Sequence, residues 1–317
     1  MFGVTRGREP DLVEQSVVVQ DMMSRDINLV TNSRENNFAF FCVSGEKDVY
    51  GYRYWNSGEK RIQSSWFKWT LPEKITYQCA IDDTYYVVLD NKNLITFDLR
   101  TQTDTAQINE YLVHLDNYKE LDPTEFTYDS DNNKTTFNLP GGFTADTNVA
   151  VIDTTPNDDN YKDFGRYDIA TVVGSVATLN GDWATANHKL YIGYNFDMRI
   201  KLPTIYVTKS SDTASIADVN ASLIIHRLKL ALGKSGVYET TLERKGRDDY
   251  TELYESSMQD KYTSNTTPWV DEQIKTIPAY DRNTNLKVYL KSTHPSPATL
   301  RAMSWEGDYT TKFYQRA

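Results

Sequence analysis

Histidine, cysteine and carboxylate side chains are the groups that could do chemistry in this chain, and their spacing argues against most of it. His114, His188, His226 and His294 are scattered; none has the helical two-histidine spacing of a zinc site, and none lies beside Cys42 or Cys79. Gly233-Lys234-Ser235 has the ending of a phosphate loop, but Leu228 stands where the first glycine is required and Gly236 points to a hairpin turn. Asp129, Asp131 and Asn133 alternate as oxygen ligands for calcium do. Their loop lacks the glycine at the sixth position and the glutamate at the twelfth, so a turn closed by Asx hydrogen bonds is expected. Carboxylate pairs for sugar hydrolysis could be nominated almost anywhere among 44 Asp and Glu residues and therefore designate nothing. No catalytic, metal or cofactor site is expected, and the chain reads as a protein that is not an enzyme.

The remaining chemistry is aromatic. Tyr50 to Pro72 gathers Tyr50, Tyr52, Tyr54, Trp55, Trp66, Phe67 and Trp69 around a polar Asn56-Ser57-Gly58-Glu59-Lys60 corner, which reads as two strands and a turn. Alternation puts Tyr50, Tyr52 and Tyr54 on one face of the first arm, and in the second sets Trp66 and Lys68 opposite Phe67 and Trp69. Such a hairpin needs a partner sheet or a neighbouring subunit to cover its rings. A sheet core is the plainer reading of these rings; a sugar- or base-stacking surface is the other.

Composition sets the elements that must hold these residues. With 22 Tyr, 12 Phe and 6 Trp among many Thr, Asn and Asp, the 317-residue chain favours strands joined by polar turns. The formal charge of -10 argues against tight wrapping of nucleic acid, though not against a wide channel through which DNA passes. Cys42 and Cys79 sit in apolar strand-like surroundings and are expected to be free, buried thiols. No stretch has the length of a membrane span, so no membrane embedding is expected, and the first residues lack the pattern of a signal peptide. The polar opening Met1 to Pro10 reads as an arm that embraces a neighbour or as the edge of a longer protein.

Taken in order, Leu12 to Met23 is ambiguous between strand and helix, and strands follow over Asp26–Val30, Asn37–Val43, Asp48–Tyr54, Ile75–Cys79, Thr84–Leu89 and Leu94–Leu99. Their spacing fits the blades of a propeller as well as a sandwich. The rhythm breaks near Thr101. The expected fold is all-β: propeller-like strands with an N-terminal arm over 1–100, an inserted β-barrel or sandwich over 101–194, and a C-terminal β domain completing the propeller over 195–317. In the last part, Ser222 to Leu232 sets Leu223, Ile225, Arg227 and Lys229 against Ile224, His226, Leu228 and Leu230. It is read as a strand paired in a hairpin with Gly236 to Arg244.

Three segments carry a resemblance. Gln63 to Trp69, preceded by Tyr52-Arg53-Tyr54-Trp55, resembles the aromatic signature of the tail tubular protein B, or nozzle, family of short-tailed T7-like bacteriophages. Thr135-Thr136-Phe137-Asn138-Leu139-Pro140 is similar to a second family segment. Ala302 to Tyr309 resembles the family's terminal Trp-Glu-Gly-Asn-Tyr pattern, with Asp308 at the place usually held by asparagine. The order is that of the family's C-terminal part; members are usually longer, so the resemblance implies a nozzle that is reduced or split.

The resemblance implies a structural protein of the phage tail in the virion: a homo-hexameric ring around the DNA-ejection channel, built from a propeller with barrel-like insertions. It implies a tail adaptor protein above, a tail fibre protein anchored to the ring, and passing viral DNA that is not read by sequence. A separate chain supplying the N-terminal nozzle half is one arrangement it allows. Trp55, Trp66, Phe67, Trp69, Trp305 and Tyr309 are the candidate structural or interface residues. The alternative function is a carbohydrate-binding or depolymerising tail protein, which would require an aromatic groove with a carboxylate pair.

Overall fold

The computed structural model describes residues 2–5, 11–14, 16, 19–57, 60–100, 114–143, 146, 148–153, 166–184, 189–210, 215–219, 221–254 and 272–311. The chain forms two units, Met1–Thr103 and Asp104–Ala317. Among the described residues the regular elements are β-strands and short 3-10 turns, and the strand pairs are antiparallel. The described sheets have free edges; none closes into a barrel.

In the first unit β1 (Phe2–Thr5) and β2 (Asp11–Glu14) make a ribbon, so part of the ambiguous 12–23 stretch is strand. A four-stranded meander follows: β3 (Leu29–Ser33), β4 (Phe38–Cys42), β5 (Asp48–Ser57) and β6 (Lys60–Thr70). A three-stranded meander, β7 (Ile75–Ile81), β8 (Thr84–Leu89) and β9 (Leu94–Asp98), comes next. The hairpin turns sit where short polar residues take left-handed backbone, at Asn37 (φ 58°) and Asp82 (φ 49°).

Alternation decides the packing. Phe40, Cys42 and Val49 of the first meander share a core with Ile75, Tyr85, Val87 and Leu89 of the second. Phe40 stacks on Tyr85 with ring centroids 4.0 Å apart. The two leading strands, β3 and β7, run side by side in the same direction, joined by side chains rather than a backbone ladder. Gln78 Nε2 donates to the Leu29 carbonyl (2.9 Å), the Ala80 amide to Thr31 Oγ1 (2.9 Å), and Ser33 Oγ to the Asp82 carbonyl (3.1 Å). Gln78 is buried, yet Nε2 also reaches the Phe40 carbonyl and Oε1 accepts the Tyr85 hydroxyl at 2.5 Å, so its polar groups are satisfied.

The second unit opens with β10 (Asp116–Leu121), β11 (Thr127–Asp129), β12 (Lys134–Asn138), β13 (Val149–Asp153), β14 (Tyr167–Ile169), β15 (Thr171–Val173), β16 (Val176–Asn180) and β17 (Leu190–Tyr194). They form two four-stranded sheets, β10-β17-β13-β14 and β11-β12-β16-β15. Val149, Val151, Leu190 and Ile192 of one pack on Phe137, Ala177 and Leu179 of the other, with Trp183 in the same core. At the β11–β12 turn Asp129 Oδ1 accepts the Asp131 amide (3.0 Å) and Oδ2 the Asn132 side chain (2.6 Å): the Asx turn expected there.

The rest comprises β18 (Met198–Lys201), β19 (Thr208–Ser210), β20 (Ser215–Ala217), β21 (Ser222–Ser235), β22 (Tyr238–Arg244), β23 (Tyr250–Tyr254), β24 (Gln273–Arg282), β25 (Leu286–Ser292) and β26 (Ala298–Thr310). Beside the β19-β20 ribbon stand two sheets, β18-β25-β22-β23 and β24-β21-β26. The expected β21–β22 hairpin is overturned: the two strands lie in different sheets. The backbone turns the corner at 235–237, where the Gly236 amide bonds the Pro297 carbonyl and the Val237 amide bonds Ser296 Oγ. Crossing over lets Leu228, Leu230 and Leu232 face Tyr238 and Leu242 across one core, which a single-layer hairpin would forbid.

Candidate functional site

The aromatic residues nominated from sequence fall into two groups by what their rings touch. On the paired strands β5 and β6, Tyr52 stands opposite Trp66, Gly51 opposite Phe67 and Val49 opposite Trp69. The Phe67 and Trp69 rings turn to the core shared with the second meander; Trp69 stacks on Phe97 with centroids 5.0 Å apart. Trp66 is on the other face, 4.6 Å from the Tyr52 ring, in a cluster with Phe41, Met22, Met23 and Ile27. Both faces of the hairpin are thus covered by the same unit. Trp55 is the exception, with 55% of its surface exposed.

Gly51 was not singled out by sequence, and its role is steric. A Cβ there would lie 2.0 Å from Phe67 Cζ, so the ring occupies the space a side chain would take. Aromatic residues facing a glycine across an antiparallel pair are the one signal that could have shown it.

The C-terminal motif residues Trp305 to Tyr309 have separable jobs. Strand β21 carries a bulge at His226: Ile225 pairs Gly307, but Arg227 pairs Glu306. The extra residue shifts the alternation, so Leu223, Ile225, Leu228, Leu230 and Leu232 all face the core. The strict alternation expected from sequence, which grouped Leu228 with Ile224 and His226, is corrected by this one-residue slip. Gly307 is what the bulge requires on the facing strand, because a Cβ there would stand 2.1 Å from the Ile224 carbonyl oxygen.

Trp305 packs against the core of this sheet pair. Glu306 pairs with Lys229 and lies 4.0 Å from Arg227; the Lys229 hydrogen bond foremost holds its carboxyl below the usual range. Asp308 Oδ2 approaches His226 Nε2 at 3.3 Å, and the His226 ring lies along Tyr280. Tyr309 donates its hydroxyl to Asp218 Oδ2 at 2.8 Å. Asp308 and Glu306 thereby tie β26 to β21 on the outer face of the sheet.

These arrangements are structural. Among the described residues no group of three or more His, Cys, Asp or Glu side chains is placed to hold a metal. His226 is engaged with Asp308, and His294 is buried in the loop between β25 and β26. His188 lies outside the described residues. Gly233, Lys234 and Ser235 lie within β21 instead of forming a phosphate loop, and Ser235 Oγ bonds the Gly233 carbonyl. Both cysteines are free thiols; Cys42 is buried, whereas Cys79 is only partly so, which corrects the expectation of two buried thiols.

A comparison with protein families decides the assignment. Residues 6–316 match the model of the bacteriophage nozzle protein family. The chain belongs to that family. No curated protein matches it. As a bacteriophage nozzle protein it is a structural component of the phage tail in the virion. The three motif segments of this nozzle chain serve its sheets: Trp66 to Trp69 fill both faces of β6, Phe137 fills the core beneath β12, and Gly307 accommodates the bulge of β21.

Proposed function

We propose that the chain is one subunit of a hexameric nozzle ring that surrounds the DNA-ejection channel, joins a tail adaptor protein and anchors tail fibre protein. The observation that carries this reading is membership of the nozzle family over residues 6–316. The first unit supports its propeller aspect: two successive up-and-down meanders stack face to face with their leading strands parallel, as neighbouring propeller blades do. In this reading residues 101–194 are an insertion and 195–317 complete the propeller, with a separate chain supplying the N-terminal nozzle half where the nozzle is split.

The work of such a subunit is mechanical. Sheets make a rigid wall, and a net charge of -10 keeps passing DNA from adhering, since phosphate contacts need Lys and Arg. Cryo-electron microscopy of assembled tails tests it: density for this chain in a six-fold ring around the axial channel is expected, and its placement away from the axis would refute the reading.

A further inference from the structure

The second unit is built around two separate cores. The sandwich of β10-β17-β13-β14 and β11-β12-β16-β15 has its core and a smaller apolar cluster within residues 115–194, while the core between β18-β25-β22-β23 and β24-β21-β26 lies within 198–305. Among the described residues no sheet runs from one body into the other. The chain passes between them through Asn195-Phe196-Asp197, which lies outside regular structure between β17 and β18.

Three contacts between the two bodies land on one loop, Thr293 to Pro297, between β25 and β26. The Pro295 carbonyl accepts the His114 amide at 2.7 Å, the Thr293 carbonyl accepts Asn195 Nδ2 at 2.6 Å, and the His294 ring meets Tyr167 edge-on with centroids 4.2 Å apart. His114 precedes β10 and Asn195 follows β17, so the loop grips the sandwich where the chain enters and leaves it. On its other side the loop is fixed to its own body. The Gly236 amide donates to the Pro297 carbonyl (3.0 Å), the Val237 amide to Ser296 Oγ (3.2 Å), and Ser292 Oγ to the Val237 carbonyl (2.7 Å). Within the loop, His294 Nδ1 accepts the Ser296 amide (3.0 Å), and the buried Pro295 and Pro297 restrict the backbone further. The loop therefore moves with the terminal sheets, and the joint yields between loop and sandwich.

We infer that the sandwich is a hinged body, turning about Asn195-Phe196-Asp197 and latched in the observed orientation by Thr293, His294 and Pro295. Bodies that do not share a large apolar interface move relative to one another by default, and hydrogen bonds to carbonyls pass readily to water. Opening the latch leaves both cores closed, so the sandwich changes orientation without unfolding. The device belongs to the single subunit and stands apart from the ring reading.

Single-molecule energy transfer on the full chain tests the hinge. Val173 and Ile274, 76% and 72% exposed and one in each body, take the dyes as Val173→Cys and Ile274→Cys. The partly exposed Cys79 is removed as Cys79→Ser, and the buried Cys42, whose thiol is pushed up to about 12 by that burial, stays unlabelled. With the native latch one dominant distance is expected. Asn195→Ala is expected to raise a second distance about tenfold in population. Asn195→Ala combined with His294→Ala is expected to make that distance dominant, while the amides of β13 go on exchanging slowly with solvent. The native distance distribution retained in the variants would mean a fixed joint and would overturn the hinge. A new distance accompanied by fast exchange in β13 would mean that the sandwich melts instead of turning, and would overturn it equally. Asn195→Ala removes no side chain from either core, so an unchanged distribution in that variant alone is enough to refute the latch.

Discussion

The Phe67 ring lies over the Cα of Gly51 so closely that a Cβ at Gly51 would meet Cζ at 2.0 Å and Cε2 at 2.2 Å. Phe67 cannot simply swing aside, because Trp69 stands 4.9 Å away and Phe38 and Phe40 meet its ring nearly edge-on. Gly51→Ala is therefore expected to cost about 1–3 kcal/mol, read by urea unfolding. In a Phe67→Leu background the same change should cost clearly less, since the two positions share one space. Equal costs in both backgrounds would mean that the ring relaxes freely.

Trp69 and Trp55 are on the same hairpin and should behave oppositely. Trp69 is packed on Phe97 and Phe40 within a core, so Trp69→Ala is expected to lower stability by about 3 kcal/mol or more while leaving assembly normal at a temperature where the variant is folded. Trp55 is largely exposed, so Trp55→Ala should change stability by less than about 0.5 kcal/mol. Thermal melting paired with sedimentation separates these outcomes.

His294 gives the fold a defined acid sensitivity. Its Nδ1 accepts the Ser296 amide at 3.0 Å and meets Ser296 Oγ at 2.7 Å, which leaves the ring proton on Nε2; the ring is otherwise covered, with Tyr167 edge-on at 4.2 Å. Protonation would put a second donor against the Ser296 amide in a buried site. Burial pushes the imidazole pKa down from 6.5 to about 3. The folded value lies below the unfolded one, so the unfolded chain binds the proton first as pH falls. The contribution is nil above about pH 6.5, and stability then drops by about 1.4 kcal/mol per pH unit until about pH 3. His294→Phe should be less stable at neutral pH but lose this acid slope. An identical slope in the variant, measured by urea unfolding from pH 7 to 4, would assign the sensitivity to other groups.

Much of the first unit was legible in sequence, because the physics that fixes it is local. Phe38-Ala39-Phe40-Phe41-Cys42 is a continuous apolar run, Thr84 to Leu89 is rich in aromatic and β-branched residues, and Asp82-Asp83 supplies the turn before it. The Asx turn at Asp129 was equally plain, for its hydrogen bonds span three residues. The phase slip at His226 was harder to read: its one local mark is the consecutive polar pair His226-Arg227 between Leu223/Ile225 and Leu228/Leu230/Leu232, and the bulge itself is fitted by the strand opposite, through Gly307. The corner between β21 and β22 was hidden for a related reason. Two adjacent alternating segments make a hairpin or a crossover according to partners that arrive much later, here β24, β25 and β26. Of the candidate residues, the sequence offered the right rings without their faces; pairing across β5 and β6 separates Trp66 from Phe67 and Trp69.

The central claim, a subunit of a closed ring, is tested most directly by mass photometry of the purified full chain across concentration, with negative-stain images of the same sample. A particle of six-fold mass and ring-shaped views with an axial opening is the predicted result. A single-copy mass at every concentration, unchanged when other tail components are added, would contradict it.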